Sequence, residues 1–411
     1  MLLPAVQLPF ELQEVGYLSG AHRSDRKERQ QEANRAAFER SGATVRVEYA
    51  FFVFLASFAA QNPVHLQISY APYRLLFKHP FETSHGIREG TDSIFIRLEE
   101  NGITGYGEVT LPPYLKEKPQ DVVDQLLGTA LAGVNSKEGL ATHLNAPEAW
   151  NDHQQGCRAG LHMALTDLIG KEQQISIGQL LNIDNTKSYR VLMTIGITPV
   201  PRVAEQLQEL PKSDFLKVKM NGPGSIPMLR EVLKNDQRPV FIDGNQGMLS
   251  VLEVLDVCRV AGERLVGLEQ PFAVKDVVLQ QELQRLLSVC IYGDEAIWGV
   301  NDLERTPGTF GGVNIKLMKC GGLDRAKAMT DLAAESGLKV MLGCMSESSL
   351  GCTAMAHLAG AADLLDLDGP SLIKNDPFEG MRMKNGKLVM PEAPGIGANL
   401  KAELEFKRIC A

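Results

Sequence analysis

From residue 188 onward the chain repeats one local pattern, a short apolar, β-branched run followed by a stretch with helical periodicity. The runs lie at 189–196, 214–220, 239–243, 265–269, 290–294, 312–317, 338–343 and 363–368. Strands this apolar need cover on both faces. Eight of them at regular spacing, with helices between, predict an α/β fold, a (β/α)7β TIM-type barrel, rather than an open doubly wound sheet. The Gly-x-Gly-x-x-Gly turn of the open alternative is absent. Gly222-Pro223-Gly224-Ser225 lacks the third glycine and reads as a strand end followed by a helix capped at Ser225.

In such barrels the chemistry gathers at the C-terminal strand ends. Those ends carry Lys217 and Lys219, Asp243, Glu269, Asp294, Lys316, and Asp366 with Asp368. From Lys219 to Lys316 the charged groups recur every 22 to 26 residues, about one βα unit, so five consecutive strands each send one into a single mouth. Three converging carboxylates repel unless a cation lies among them, and all-oxygen ligation suits a hard ion such as Mg2+. Asp243, Glu269 and Asp294 are therefore the expected metal ligands. Glu295 follows directly, should face the other way, and is not counted. Lys217 and Lys219 share one strand face, so each ammonium should depress the pKa of the other and leave a usable base. Lys316 belongs across the mouth, and bases on opposite sides of one carbon can invert a stereocentre.

The preceding residues have another texture. Strand patterns at 65–78, 93–99 and 104–109, the last after Asn101-Gly102, predict a meander. Helical patterns follow at 121–134 and 148–171, the second with Ala159, Met163, Leu165, Leu168 and Ile169 as its apolar face. The expected organisation is an α+β capping domain over 64–186, completed by about 375–411, and the barrel over 187–374. Residues 1–63 are expected to be a dispensable, disordered extension, with Val64 as a candidate initiator, because 20–45 is charged and lacks an apolar stripe. The apolar run at 50–60 is shorter than the roughly 18 residues of a membrane span, and it lies too far along the chain for an ordinary signal peptide. With 42 Lys+Arg against 50 Asp+Glu and no basic tract, nucleic acid is not an expected partner. Seven cysteines without a Cys-x-x-Cys pair read as reduced thiols and favour the cytoplasm. The sequence leaves a homo-oligomer open.

These motifs resemble the enolase superfamily, which uses a Lys or His base with Mg2+. Within it the chain is similar to the muconate-lactonizing subgroup and, there, to the dipeptide epimerases. The likeness runs from about 65 to 398 and rests on Lys217-Val-Lys219, Asp243-Gly-Asn245-Gln-Gly247, Gly267-Leu-Glu269-Gln-Pro271, Gly293-Asp294-Glu295, Asn314-Ile-Lys316, Gly343-Cys-Met-Ser-Glu-Ser348 and Asp366-Leu-Asp368. The resemblance implies an isomerase that takes a dipeptide, with Lys219 and Lys316 as bases, Lys217 beside the developing charge, and Asp366 and Asp368 on the free α-ammonium. It also implies substrate contacts from Thr194, Cys344 and Ser346. The pattern departs in one loop, Glu82-Thr-Ser-His-Gly-Ile-Arg88: where the Ala-Glu epimerases carry an arginine, this chain has His85 or Gly86, with Arg88 two residues on. N-acylamino acid racemases and cycloisomerases of the same subgroup are the first alternative, although their substrates offer no ammonium to the Asp-x-Asp pair. A pyridoxal-phosphate barrel racemase and a non-catalytic peptide-binding barrel are the others. The carboxylate trio argues against the first of these, and the paired lysines argue against the second.

Overall fold

The computed structural model describes residues 65–409 except 85, 129–130, 132 and 186–188. The expectations for residues 1–63 and for His85 fall outside the described residues.

The first unit is an antiparallel sheet of β1 (Gln67–Thr83), β2 (Gly86–Glu100) and β3 (Ile103–Leu111), with the strand Lys407–Arg408 added outside β1. Asn101 and Gly102 adopt φ of 53° and 78°, the left-handed pair that a two-residue hairpin needs between Glu100 and Ile103. Helices α1 (Pro119–Leu127), α2 (Lys137–Asn145) and α3 (Gln155–Gln173) follow. The first helical pattern is interrupted at Gly128, whose extended backbone ends α1, and residues 129, 130 and 132 of that pattern lie outside the described ones. The second starts later than its pattern suggests, at Gln155.

The expected single apolar face of α3 is also corrected, because every residue from Gly156 to Gly170 is buried. The helix packs on β3 and, on its far side, on the barrel segments around Leu317–Cys320 and Leu323–Glu335. Its contact with β3 is close. A Cβ on Gly107 would sit 1.9 Å from the Gly160 carbonyl oxygen, so only glycine fits there.

The barrel strands are β4 (Leu192–Ile195), β5 (Phe215–Lys219), β6 (Val240–Asp243), β7 (Leu265–Glu269), β8 (Cys290–Gly293), β9 (Gly312–Ile315), β10 (Lys339–Gly343) and β11 (Leu364–Asp366). They pair in parallel in chain order, and a bridge between Val191 and Leu365 brings the ends together. Leu192, Phe241, Tyr292 and Met341, from alternate strands, fill one interior layer. The Phe241 and Tyr292 rings lie 5.5 Å apart, and glycine on the intervening strand makes the room, since a Cβ on Gly267 would meet the Phe241 ring at 2.4 Å.

Outside run α4 (Val203–Glu209), α5 (Ile226–Asn235), α6 (Val251–Ala261), α7 (Val277–Leu286), α8 (Leu323–Glu335) and α9 (Ser349–Ala356). Ser225 does precede α5 but does not cap it with its side chain. Its hydroxyl donates to Asn221 Oδ1 at 2.8 Å instead. Among the described residues no helix is long and apolar enough to cross a membrane.

Cap and barrel share one apolar core that includes Ile96, Leu165, Leu317 and Leu350. Two buried polar groups cross the junction. Arg158 of α3 donates to Asp324 Oδ2 at 2.8 Å, to Gly321 O at 2.6 Å and to Leu144 O at 3.0 Å. His357, just past α9, accepts from Gly178 N at 3.2 Å through Nδ1 and lies 3.0 Å from Ile396 O through Nε2. Its ring therefore ties two other chain segments to the end of α9. The β1–β2 hairpin tip is fixed on the mouth by Ile197 N donating to Glu82 O at 3.0 Å and by Ser84 Oγ donating to Asn245 O.

Candidate active site

The strand ends assemble one cluster of charge. Register aligns Lys219 with Asp243 and Asp243 with Glu269, so neighbouring strands present these side chains at one level. Lys217 Nζ lies 3.0 Å from Asp243 Oδ2, 2.7 Å from Glu269 Oε2 and 2.6 Å from Asp366 Oδ2. Lys219 reaches Asp243 Oδ2 at 2.5 Å. Across the barrel Lys316 lies 2.7 Å from Asp294 Oδ2. Asp243 and Glu269 are fully buried and Asp294 nearly so.

The expectation that the paired lysines lower each other's pKa is overturned for Lys217. Burial works to lower it, but Asp243, Asp366 and Glu269 outweigh burial and hold the ammonium well above the usual lysine range. Lys316 is likewise held up, against burial, by Asp294 and Glu269. The carboxylates answer in kind. Burial raises Asp243, yet Lys217 and Lys219 bring it down to about 2. Lys316 and Lys319 hold Asp294 well below the carboxylate range. Glu269 goes the other way, because burial and then Asp243 push it up to about 8.

Apart from its ion pair with Lys217, Glu269 Oε2 accepts no hydrogen bond, while Oε1 accepts from Asn314 Nδ2 at 2.8 Å. Three buried carboxylates on adjacent strands, balanced here only by lysine ammonium groups, are a donor set suited to a hard divalent cation.

The Asp-x-Asp pair differs from the expectation in detail. Strand β11 ends at Asp366, so only that residue lies on it. Asp368 does not cap the following turn; it accepts from Thr194 N at 2.6 Å. Burial, then Asp366, push Asp368 up to about 6. Thr194 also points Oγ1 at Asp366 Oδ1, 3.5 Å away, so it orients the pair.

A small cavity, about 60 Å³, opens over this cluster. Lys219, Lys316, Asp294, Asp366, Asp368, Thr194, Cys344, Ser346 and Arg88 all line it, while Lys217, Asp243 and Glu269 lie beneath its surface. The cap contributes Phe81, Thr83, Arg88 and Tyr114. Arg88 sits over the rings of Phe77 and Tyr114, 5.4 and 5.8 Å from their centroids, and donates to Thr91 Oγ1 at 2.6 Å.

Two groups at the site escape the sequence argument. Glu295 lines the cavity because β8 ends at Gly293, so strand alternation no longer governs the residues after it. Lys319 is buried, and its three short contacts are Asp294 Oδ1 at 2.6 Å, Asp294 O at 2.7 Å and Asn314 O at 2.9 Å. Its signal was its spacing. The helical turn Leu317–Cys320 brings position i+3 from Lys316 back to the same face.

Among the described residues, eight non-glycines adopt positive φ, and Asn245, Gln246, Gln270 and Ser346 of these lie just past barrel strands at the mouth. Backbone strain of this kind concentrates where side chains must be aimed.

The fold and site together define a barrel enzyme whose catalytic mouth is closed by a separate cap. Residues 71–182 match the family described as mandelate racemase / muconate lactonizing enzyme, N-terminal domain, and residues 202–404 match enolase C-terminal domain-like. An L-Ala-D/L-Glu epimerase of Bacteroides thetaiotaomicron is 30% identical over 334 residues, covering 81% of this chain and 87% of that protein. An L-Ala-D/L-amino acid epimerase of a Maribacter species is 29% identical over 342 residues, covering 82% and 99%. The solved dipeptide epimerase of Cytophaga hutchinsonii, complexed with Mg and D-Ala-L-Val, superposes with a TM-score of 0.76 at 22% identity, covering 84% of this chain and all of that one. The dipeptide epimerase of Methylococcus capsulatus, complexed with Mg and L-Arg-D-Lys, gives 0.71 at 25%, covering 82% and 99%. The chain belongs to the enolase superfamily, in its mandelate racemase and muconate lactonizing branch, and is an isomerase.

Proposed function

We propose that the protein is an Mg2+-dependent epimerase that inverts the Cα of the C-terminal residue of dipeptides by 1,1-proton transfer. The observation that carries this reading is the pair of lysines facing one cavity, Lys219 at the end of β5 and Lys316 just past β9, half-way round an eight-stranded barrel. One neutral lysine takes the α-proton from one face, and the opposite ammonium delivers a proton to the other face. The two lysines thereby exchange protonation states, and protons balance over the turnover. Mg2+ held by Asp243, Glu269 and Asp294 would draw these carboxylates from the lysines and offset the negative charge that grows on the substrate carboxylate.

Lys217, buried and held cationic, supplies fixed positive charge under the same position. Lys319 holds Asp294 in place. At the other end of the substrate, Asp368 and Oδ1 of Asp366 accept from the free α-ammonium. Asp366 Oδ2 is engaged by Lys217, so the anchor for one ammonium is also the clamp on the other. Thr194, Cys344, Ser346 and Arg88 complete the substrate walls.

The test is incubation with a library of L,L-dipeptides in D2O with Mg2+, read by mass spectrometry and chiral separation. A gain of one mass unit with appearance of the L,D product is expected, and chelation should stop it until Mg2+ is returned. Turnover of N-acylated amino acids at equal kcat/KM would replace the dipeptide reading with that of an acylamino acid racemase.

A further inference from the structure

Cys344, Glu347 and Cys352 lie on the segment that leaves β10 and enters α9, outside the carboxylate trio. Cys344 is the first residue past β10, half-buried on the cavity wall. Cys352 is fully buried within α9, and Glu347 is 2% exposed. One ligand atom from each, two Sγ and one carboxylate oxygen, all fall within 4.8 Å of one another.

Local backbone produces this convergence. Ser346 at φ 68° folds the segment back, and Ser348 starts α9 by accepting from Leu350 N. Glu108, the other buried carboxylate nearby, is committed elsewhere: it accepts from Ser348 N, Ser348 Oγ, Gly351 N and Thr110 Oγ1. Glu347 accepts from Met345 N, and among the described residues no lysine or arginine pairs with it.

We propose that Cys344, Glu347 and Cys352 form a second metal site, selective for a thiophilic divalent cation of the Zn2+ class. Two thiolates on tetrahedral Zn2+ stand about 3.8 Å apart, with zinc–sulfur bonds of about 2.3 Å, so small side-chain rotations close the ligand set. The fourth position opens to the cavity on the Cys344 side and takes water. Soft sulfur donors favour Zn2+ and reject Mg2+, whereas the all-oxygen trio has the opposite preference. One chain can therefore hold both ions without exchange between sites. Occupancy fixes Cys344 and the segment through Ser346 on the cavity wall, so the bound cation inhibits turnover from beside the bases rather than by replacing Mg2+.

The test uses the full chain with Mg2+ in excess and Cd2+ as a spectroscopic probe for the thiophilic ion. One Cd2+ per chain should bind, with a thiolate-to-metal charge-transfer band in the ultraviolet, release of about two thiol protons per ion, and partial inhibition that more Mg2+ does not relieve. Cys344→Ser, at a half-buried position, and Cys352→Ser should each weaken binding at least tenfold and remove much of the band. Should Cys352→Ser fail to fold, Cys344→Ser and the wild-type stoichiometry decide the matter alone. Absence of the band in the wild type, an unchanged band in Cys344→Ser, or inhibition that Mg2+ fully reverses would overturn the proposal.

Discussion

A lysine that moves protons must change charge during turnover, and that requirement separates Lys217 from Lys219 and Lys316. Lys217 is enclosed by three carboxylates and stays cationic, whereas Lys219 and Lys316 reach the cavity. Lys219→Ala and Lys316→Ala should each lower kcat for epimerisation by 10²–10⁴-fold or more, the contribution of a positioned acid or base. Each variant should still exchange the α-proton of one epimer with D2O, and the two should differ in which epimer that is. Exchange of both epimers in either variant would remove the two-base scheme.

Asp368→Asn should raise KM for dipeptides at least tenfold with little change in kcat, because a charge-assisted contact to the ammonium is lost while the bases stay in place. Steady-state kinetics check the split. Most of this cluster was legible in the sequence because polar residues in apolar strands are rare and their spacing matched the βα repeat. Glu295 and Lys319 were not, since they lie one and three residues past the strand-end positions that the βα spacing picks out, where alternation stops being a guide.

At the scale of elements, the barrel strands were readable because each is a short apolar run bounded by turns, and they were found within a few residues. The helical pattern at 148–171 begins seven residues ahead of α3 and predicts one apolar face where the structure has a fully buried surface. Periodicity reports only the contrast between faces, and a helix covered by a sheet on one side and a barrel on the other has none.

The junction of cap and barrel has a pH signature of its own. Burial lowers the His357 pKa to about 4, while an unfolded histidine titrates near 6.5. Both states are neutral above that range. As pH falls from about 6.5 towards 4 the unfolded chain binds a proton that the folded chain resists, so stability falls across this window and levels off below it. The loss is on the order of 3 kcal/mol from this residue. Denaturant unfolding of the wild type and His357→Gln across that range checks it: the variant should be less stable at neutral pH, and its stability should fall less steeply on acidification. His162, also lowered to about 4 by burial, contributes a slope of its own that both proteins share.

For the whole molecule, the shared core and the Arg158 and His357 ties predict that cap and barrel unfold together. The chain supplies its own reporters, for it has two tryptophans. Trp150 sits in the cap, donating to His143 O at 3.0 Å, and Trp298 lines the cavity, donating to Glu295 O at 2.9 Å. In Trp298→Phe and Trp150→Phe, fluorescence then follows the cap alone and the barrel alone. Each should give a denaturation midpoint that coincides with loss of helical circular dichroism in the same variant. A cap transition clearly ahead of the barrel's would show two independent units.

The left-handed residues at the mouth bear on the history of such a chain. Each strained non-glycine costs about 1–3 kcal/mol that glycine would recover in part. Drift that rewards abundance alone should therefore convert Asn245, Gln246, Gln270 and Ser346 to glycine ahead of most other positions. A lineage passaged for heat tolerance without demand for turnover should accumulate these changes and lose rate as it gains melting temperature.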